Sequence, residues 1–130
     1  MAVSITVSYG ELLDKISILE IKSERIQEGS KLQNVRRELT LLSAAWAAAA
    51  VLQNPTELAV IRRELKKVNE QLWEIEDALR AREHAQHFDA EFIQLARKVY
   101  ITNDRRAALK RDIDTLLGSA FTEEKSYQPY

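Results

Sequence analysis

Asn103, Arg106 and Lys110 fall three and four residues apart, on the same helical face as Phe92, Leu95, Ala96, Val99, Ile113 and Leu117. Two cations and an amide inside an apolar stripe are costly unless other groups answer them. Two further helical stretches offer such groups. Glu20 falls within an apolar arc made by Leu12, Leu13, Ile16, Leu19 and Ile26, with Glu24 at its edge. Asn69, Trp73, Glu76, Arg80 and Glu83 follow one another at alternating steps of four and three, a polar ridge beside the stripe Ile61, Leu65, Val68, Leu72, Ile75 and Leu79. At a rise of about 1.5 Å per residue, an up-down arrangement brings Glu20 level with Arg106 and Lys110, Asn69 level with Asn103, and Glu76 nearer Tyr100.

Such a set supports two chemistries. If closed on itself, it is a buried ion-pair network that fixes helix register. If open, the basic groups hold an anionic ligand while carboxylates and amides position hydroxyls or protons. Arginine suits planar or phosphate oxygens, and lysine acts as a point charge.

The elements that must carry these residues are legible from capping signals. Ser8-x-x-Glu11 is a capping box, with Val7 and Leu12 as a hydrophobic staple, and it opens a helix over 9–28 that Gly29 ends. Ser30-x-x-Gln33 is a second capping box, opening a helix over 31–53 with the stripe Leu32, Val35, Leu39, Leu42, Trp46 and Ala49. Asn54-Pro55-Thr56-Glu57 supplies an N-cap, a proline at the first helical position and an N3 glutamate for a helix over 55–84. Asp89 caps the last helix, 89–117, with Phe88 and Ile93 as staple and Gly118 as stop. Residues 1–7 alternate as a short extended arm, which must lie on something to be ordered. Short connections favour antiparallel neighbours, so the expected fold is all-α, one up-down-up-down four-helix bundle domain over 1–130. The third and fourth helices outrun the first two, so their far end either protrudes or is covered by the arm and tail.

Composition narrows the functions. The chain has 130 residues, 45% of them hydrophobic and 30% charged, with a formal net charge of -1. That gives no general attraction to nucleic acid or an anionic membrane. The absence of cysteine removes disulfides, thiolate metal sites and cysteine nucleophiles, and fits a reducing cytoplasm. The N-terminus lacks the pattern of a signal peptide, and the one strongly apolar run, 41–52, is too short to span a bilayer. His84 and His87 lack both the HExxH pattern and the repeated Glu-x-x-His of di-iron bundles, so no metal or other cofactor is expected. Glu74-x-x-Asp77 matches part of a helical pyrophosphatase signature without its acidic companion helix, and reads as exposed charge. Trp46 reads as core; Trp73, beside the ridge, reads as interfacial core first and ligand-stacking second.

The blocks SYGELLDKISILEIKSERI, VNEQLWEIEDALR, FIQLARKVYITNDRRAALK and EEKSYQPY together resemble a family of small bacterial proteins, with relatives in large DNA viruses, classed as a domain of unknown function. The likeness spans nearly the whole chain and is thinnest over the alanine-rich second helix. The resemblance implies a place near glycosyltransferase and surface-polysaccharide pathways, by association of genes rather than by mechanism. Its blocks include Glu20, Asn69, Glu76, Arg80, Asn103, Arg106 and Lys110, and also Tyr9, Asp14, Lys15 and the Glu123–Tyr127 segment. By this resemblance the tail is docked rather than frayed, and Tyr127 is set beside Glu24, Trp73 and Tyr100 as a secondary site candidate. The expected function is a cytoplasmic, non-catalytic binding or accessory module for a protein partner or a small anionic ligand, such as a sugar nucleotide or phosphorylated sugar. The alternatives are a small all-helical enzyme acting on an anionic metabolite, and a purely structural bundle.

Overall fold

The computed structural model describes residues 1–130 and contains four helices: α1 Tyr9–Arg25, α2 Gly29–Ala49, α3 Pro55–Ala85 and α4 Ala90–Leu117. Their directions alternate. Tyr9 meets Trp46 across α1 and α2, Gly10 meets Asp114 across α1 and α4, and Arg82 meets Asp89 at the α3–α4 turn. α1 and α3 run parallel, with Asp14 beside Asn69 and Arg25 beside Glu74. This is the up-down-up-down bundle expected from the short connections.

The helix ends follow local chemistry, with some corrections. Ser8 accepts from the Glu11 amide at 3.1 Å, as a capping residue should. The Glu11 carboxylate does not return the bond; it is drawn to Lys110 instead. α1 stops at Arg25, where Ile26 turns extended, so the helix ends before Gly29. Gly29 opens α2 instead of closing α1, and the Ser30 hydroxyl bonds Glu28 rather than capping. α2 ends at a left-handed Ala50, ahead of the expected 53. Asn54 precedes Pro55 in the left-handed region, and its side chain donates to the Leu116 carbonyl rather than capping α3. Asp89 caps α4 through the Phe92 amide at 3.1 Å. Phe88 packs edge-on against Phe92, with centroids 5.2 Å apart, and the expected staple partner Ile93 is exposed.

α1 lies at the centre, since it is the one helix whose backbone packs against all three others. It is buried on two faces. Leu13 and Ile16 join Leu58 and Leu65 of α3 and Ile113 and Leu117 of α4 in the core, with Leu39, Leu42 and Trp46 of α2 packed against it. The second face is the line Gly10, Asp14, Ser17 and Ile21, all buried. Gly10 is required there: a Cβ would overlap the Lys110 carbonyl oxygen of α4 and crowd the Asp114 carboxylate. The backbones of α1 and α4 thus touch at this level.

The core lies at one end of the long α3–α4 pair. Every buried residue of α3 lies at or before Asn69, and every buried residue of α4 at or after Lys110. The far halves of α3 and α4 protrude as a hairpin whose apolar side chains are only half covered. The arm does not cover it: Val3 and Ile5 are exposed, contrary to the expectation that the arm lies on a surface. The tail reaches back along α4 as far as Tyr100. No helix is long and apolar enough to cross a membrane.

Candidate functional site

The buried polar groups form two knots between α1 and α4. In the first, the Arg106 Nε and Nη2 donate to the Asp14 carboxylate at 2.9 and 2.6 Å. The Asn69 amide donates to Asp14 at 3.0 Å and to the Ser17 hydroxyl at 2.8 Å, and Ser17 in turn donates to the Asp14 carbonyl. Asp14 is 1% exposed, so this is a desolvated, bidentate pair with its remaining acceptor capacity used by an amide. Burial pushes the Asp14 carboxyl up, but the Arg106 and Asn69 hydrogen bonds and the Arg106 charge outweigh it and hold the group below its ordinary range.

In the second knot, the Lys110 ammonium sits between Glu11 and Glu123, 2.7 Å from each. Burial works against the charged lysine, yet the two carboxylates hold its proton more tightly than usual. The Lys110 bond also draws the Glu123 carboxyl below its ordinary value. Beside them Asp114 accepts from the Gly10 amide at 2.7 Å and the Ser119 hydroxyl at 3.0 Å, and Ser119 accepts from the Tyr9 amide. No buried side-chain nitrogen or oxygen is left without a partner.

These partners correct the sequence-based pairing. Glu20 bonds neither Arg106 nor Lys110. It lies about 120° around α1 from Asp14, in a small groove shared with Arg62, Arg63 and Lys66 of α3. The apolar arc that includes Glu20 packs, through Leu13 and Ile16, into the core shared by all four helices, while Asp14 lies on the other buried face of α1. Asn69 is satisfied by Asp14 and Ser17, not by Asn103. Glu24 pairs with Lys66. Lys15 lies near Glu11 and is half exposed. Tyr9 packs its ring on Trp46, which is half-buried and carries Arg62 over its face.

Outside the knots, a cleft of about 440 Å³ opens where α1, α3 and α4 meet. Its walls include Asn69, Trp73, Glu76, Asp77, Asn103 and Arg106. Sequence spacing singled out five of these as ligand or network candidates. Arg80 does not join them: its side chain is 80% exposed, close to Glu76 at 3.6 Å, and it faces a groove on the hairpin. Tyr100 and Tyr127 line a second cavity, under the tail, which shares Asn103 with the cleft. The Arg106 side chain is 29% exposed, and its N–H groups not bonded to Asp14 make no hydrogen bond to the chain. A guanidinium has five N–H donors, so Arg106 can hold Asp14 and still offer donors to the cleft.

Ser17 and Ser119 were not singled out from the sequence, Glu11 was read only as the acid of a capping box, and Asp14 was set only in second rank. A signal existed: Gly10, Asp14, Ser17 and Ile21 repeat at steps of four, three and four. A helix with small or polar residues at that spacing presents a second face for close packing, distinct from its apolar arc.

The chain belongs to a family of unknown function (DUF6165), whose model matches residues 1–129. No curated protein and no solved structure matches it.

Proposed function

We propose that this protein is a cytoplasmic, non-catalytic binding module, that its ligand site is the cleft between α1, α3 and α4, and that it serves glycosyl transfer or surface-polysaccharide synthesis by holding a sugar. The observation that carries this reading is the lining of the cleft: an indole, two amides, two carboxylates and the free edge of a guanidinium around about 440 Å³. A sugar ring has flat C–H faces that stack on an indole and a rim of hydroxyls that bond carboxylates and amides in both directions. Pockets of this size and mixed character suit small ligands.

The ligand is better described as hydroxyl-rich than as strongly anionic. Arg106 and Lys110 are the cations that would hold a phosphate, but three carboxylates already answer them: Asp14, Glu11 and Glu123. Glu76 and Asp77 add negative charge at the cleft. The inner Asp14–Arg106–Asn69–Ser17 knot supports a structural part for those residues, since it satisfies itself.

The test is a titration of neutral and phosphorylated monosaccharides, read by calorimetry and by tryptophan fluorescence in a Trp46→Phe background. Neutral sugars should quench Trp73 and raise the melting temperature, and Trp73→Ala should remove the heat of binding. Binding confined to phosphosugars would reverse the ligand class. No response to any sugar would overturn the reading.

A further inference from the structure

The segment after α4 turns back on the helix it leaves. Gly118 adopts the left-handed conformation that allows the reversal. Ser119 is tied to Asp114 and Tyr9, and Glu123 to Lys110. At the far end the Tyr130 hydroxyl donates to Asp104 at 2.5 Å, and its ring stands edge-on to Tyr100, centroids 5.1 Å apart. Residues 119–130 therefore run antiparallel to α4, pinned at both ends.

Between the pins the tail does not settle onto the helix. Lys125, Tyr127 and Gln128 arch over a cavity of about 730 Å³ whose floor includes Val99, Tyr100 and Asn103. Every residue from 120 to 130 is exposed, so the strap contributes almost nothing to the core. Its order comes from a few polar and aromatic contacts made around an open space.

Asn103 lines both this cavity and the cleft that holds Trp73. We infer that the two are one groove bent over Asn103, that the tail is its outer wall, and that it takes an oligosaccharide of two or more rings rather than a single sugar. This rests on the reading of the cleft as a sugar site. Each half repeats the same chemistry. The cleft has Trp73 with Asn69, Glu76 and Asp77; the cavity has Tyr100 and Tyr127 with Asp104 and Gln128. A stacking ring beside acids and amides, repeated along a groove, matches a chain of sugar units, each with a C–H face and a hydroxyl rim. A nucleotide fits less well. The cavity's one cation is Lys125, which lies over the Tyr127 ring at 5.7 Å with Asp104 lining the same space. The groove's other cation, Arg106, is already bonded to Asp14, so its lining holds no pair of unpartnered cations to take a diphosphate.

The experiment titrates the full chain and its Tyr127→Ala variant with mono-, di- and trisaccharides of glucose, mannose and N-acetylglucosamine, with uridine diphosphate as comparison. Tyr127 is 77% exposed, so its loss does not threaten folding. Affinity for one sugar series should rise about ten-fold from one ring to three, and in Tyr127→Ala that ratio should fall to about one. Equal affinity for one and three rings, or a rise that Tyr127→Ala leaves intact, would overturn the extended groove while the sugar reading of the cleft stands. Binding of uridine diphosphate in place of sugars would overturn the ligand class. Silence toward saccharides of every length would remove both readings together.

Discussion

Arg106 grips Asp14 through two hydrogen bonds, one to each carboxylate oxygen, and it does so from a position where the arginine still reaches solvent and the aspartate does not. The pair is therefore asymmetric. Removing the arginine strands a buried carboxylate, whereas removing the aspartate leaves a cation that can turn toward water. Arg106→Ala should cost about 3–5 kcal/mol in chemical denaturation, and Asp14→Asn less. The Asp14→Leu/Arg106→Met double variant should recover most of the loss, because an apolar pair leaves no stranded charge. A double variant as unstable as Arg106→Ala would contradict this account.

Acid should loosen the molecule from the same point. The folded-state values of Asp14 and Glu123 lie below their ordinary ones, so the stability they supply is present above the ordinary carboxylate range and is lost as pH falls through the folded values. Lys110 has the opposite sign. Its folded value lies above 10.5, so its contribution is complete below that pH and is lost as pH rises through the raised value. Melting temperature should be flat from neutral pH to near 10 and fall on the acid side. Glu123→Gln should weaken the tail's hold on α4 first, seen as faster amide exchange over 120–130.

Gly10→Ala should be far more damaging than a helix-favouring change ordinarily is. The added methyl meets backbone of α4 rather than a flexible side chain, so about 3 kcal/mol of destabilisation is expected. Gly29→Ala is the matched control, with nothing near its Cβ. It should be neutral or stabilising by up to about 1 kcal/mol. Urea titration of both variants separates the two effects.

The protruding hairpin should open more readily than the rest. Leu65 is 1% exposed, whereas Leu79 is only half-buried. Leu65→Ala should therefore cost about 2–5 kcal/mol and Leu79→Ala clearly less. Amide exchange should show protection falling from Asn69 toward Ala85 and rising again from Phe92 toward Lys110.

The fold was legible where local chemistry acts alone. The Ser8 and Asp89 caps, Pro55 and Gly118 each mark a helix end by their own backbone preferences, and the apolar stripes follow from them. Gly29 misled because a glycine stops a helix only where the chain needs a left-handed turn, and the chain leaves α1 through an extended Ile26 instead. The candidate site was half legible. Asn69, Trp73, Glu76, Asn103 and Arg106 share a cleft because residues at helical spacing share a face. Their pairings were not legible, since a wheel gives the angle of a side chain but not which neighbour each face meets. α1 has two such faces, and the one holding Asp14 contacts α4.

The bond from the Tyr9 amide to the Ser119 hydroxyl joins the first residue of α1 to the first residue beyond Gly118. The four helices thus form a closed loop in space, although the chain is open. Connectivity and architecture are separable in such a molecule. A circular permutant beginning at Pro55, with residues 119 and 8 joined by a short linker, should keep the same helix neighbours, the Ser8 cap and the same Asp14–Arg106 pair, reached in a different chain order.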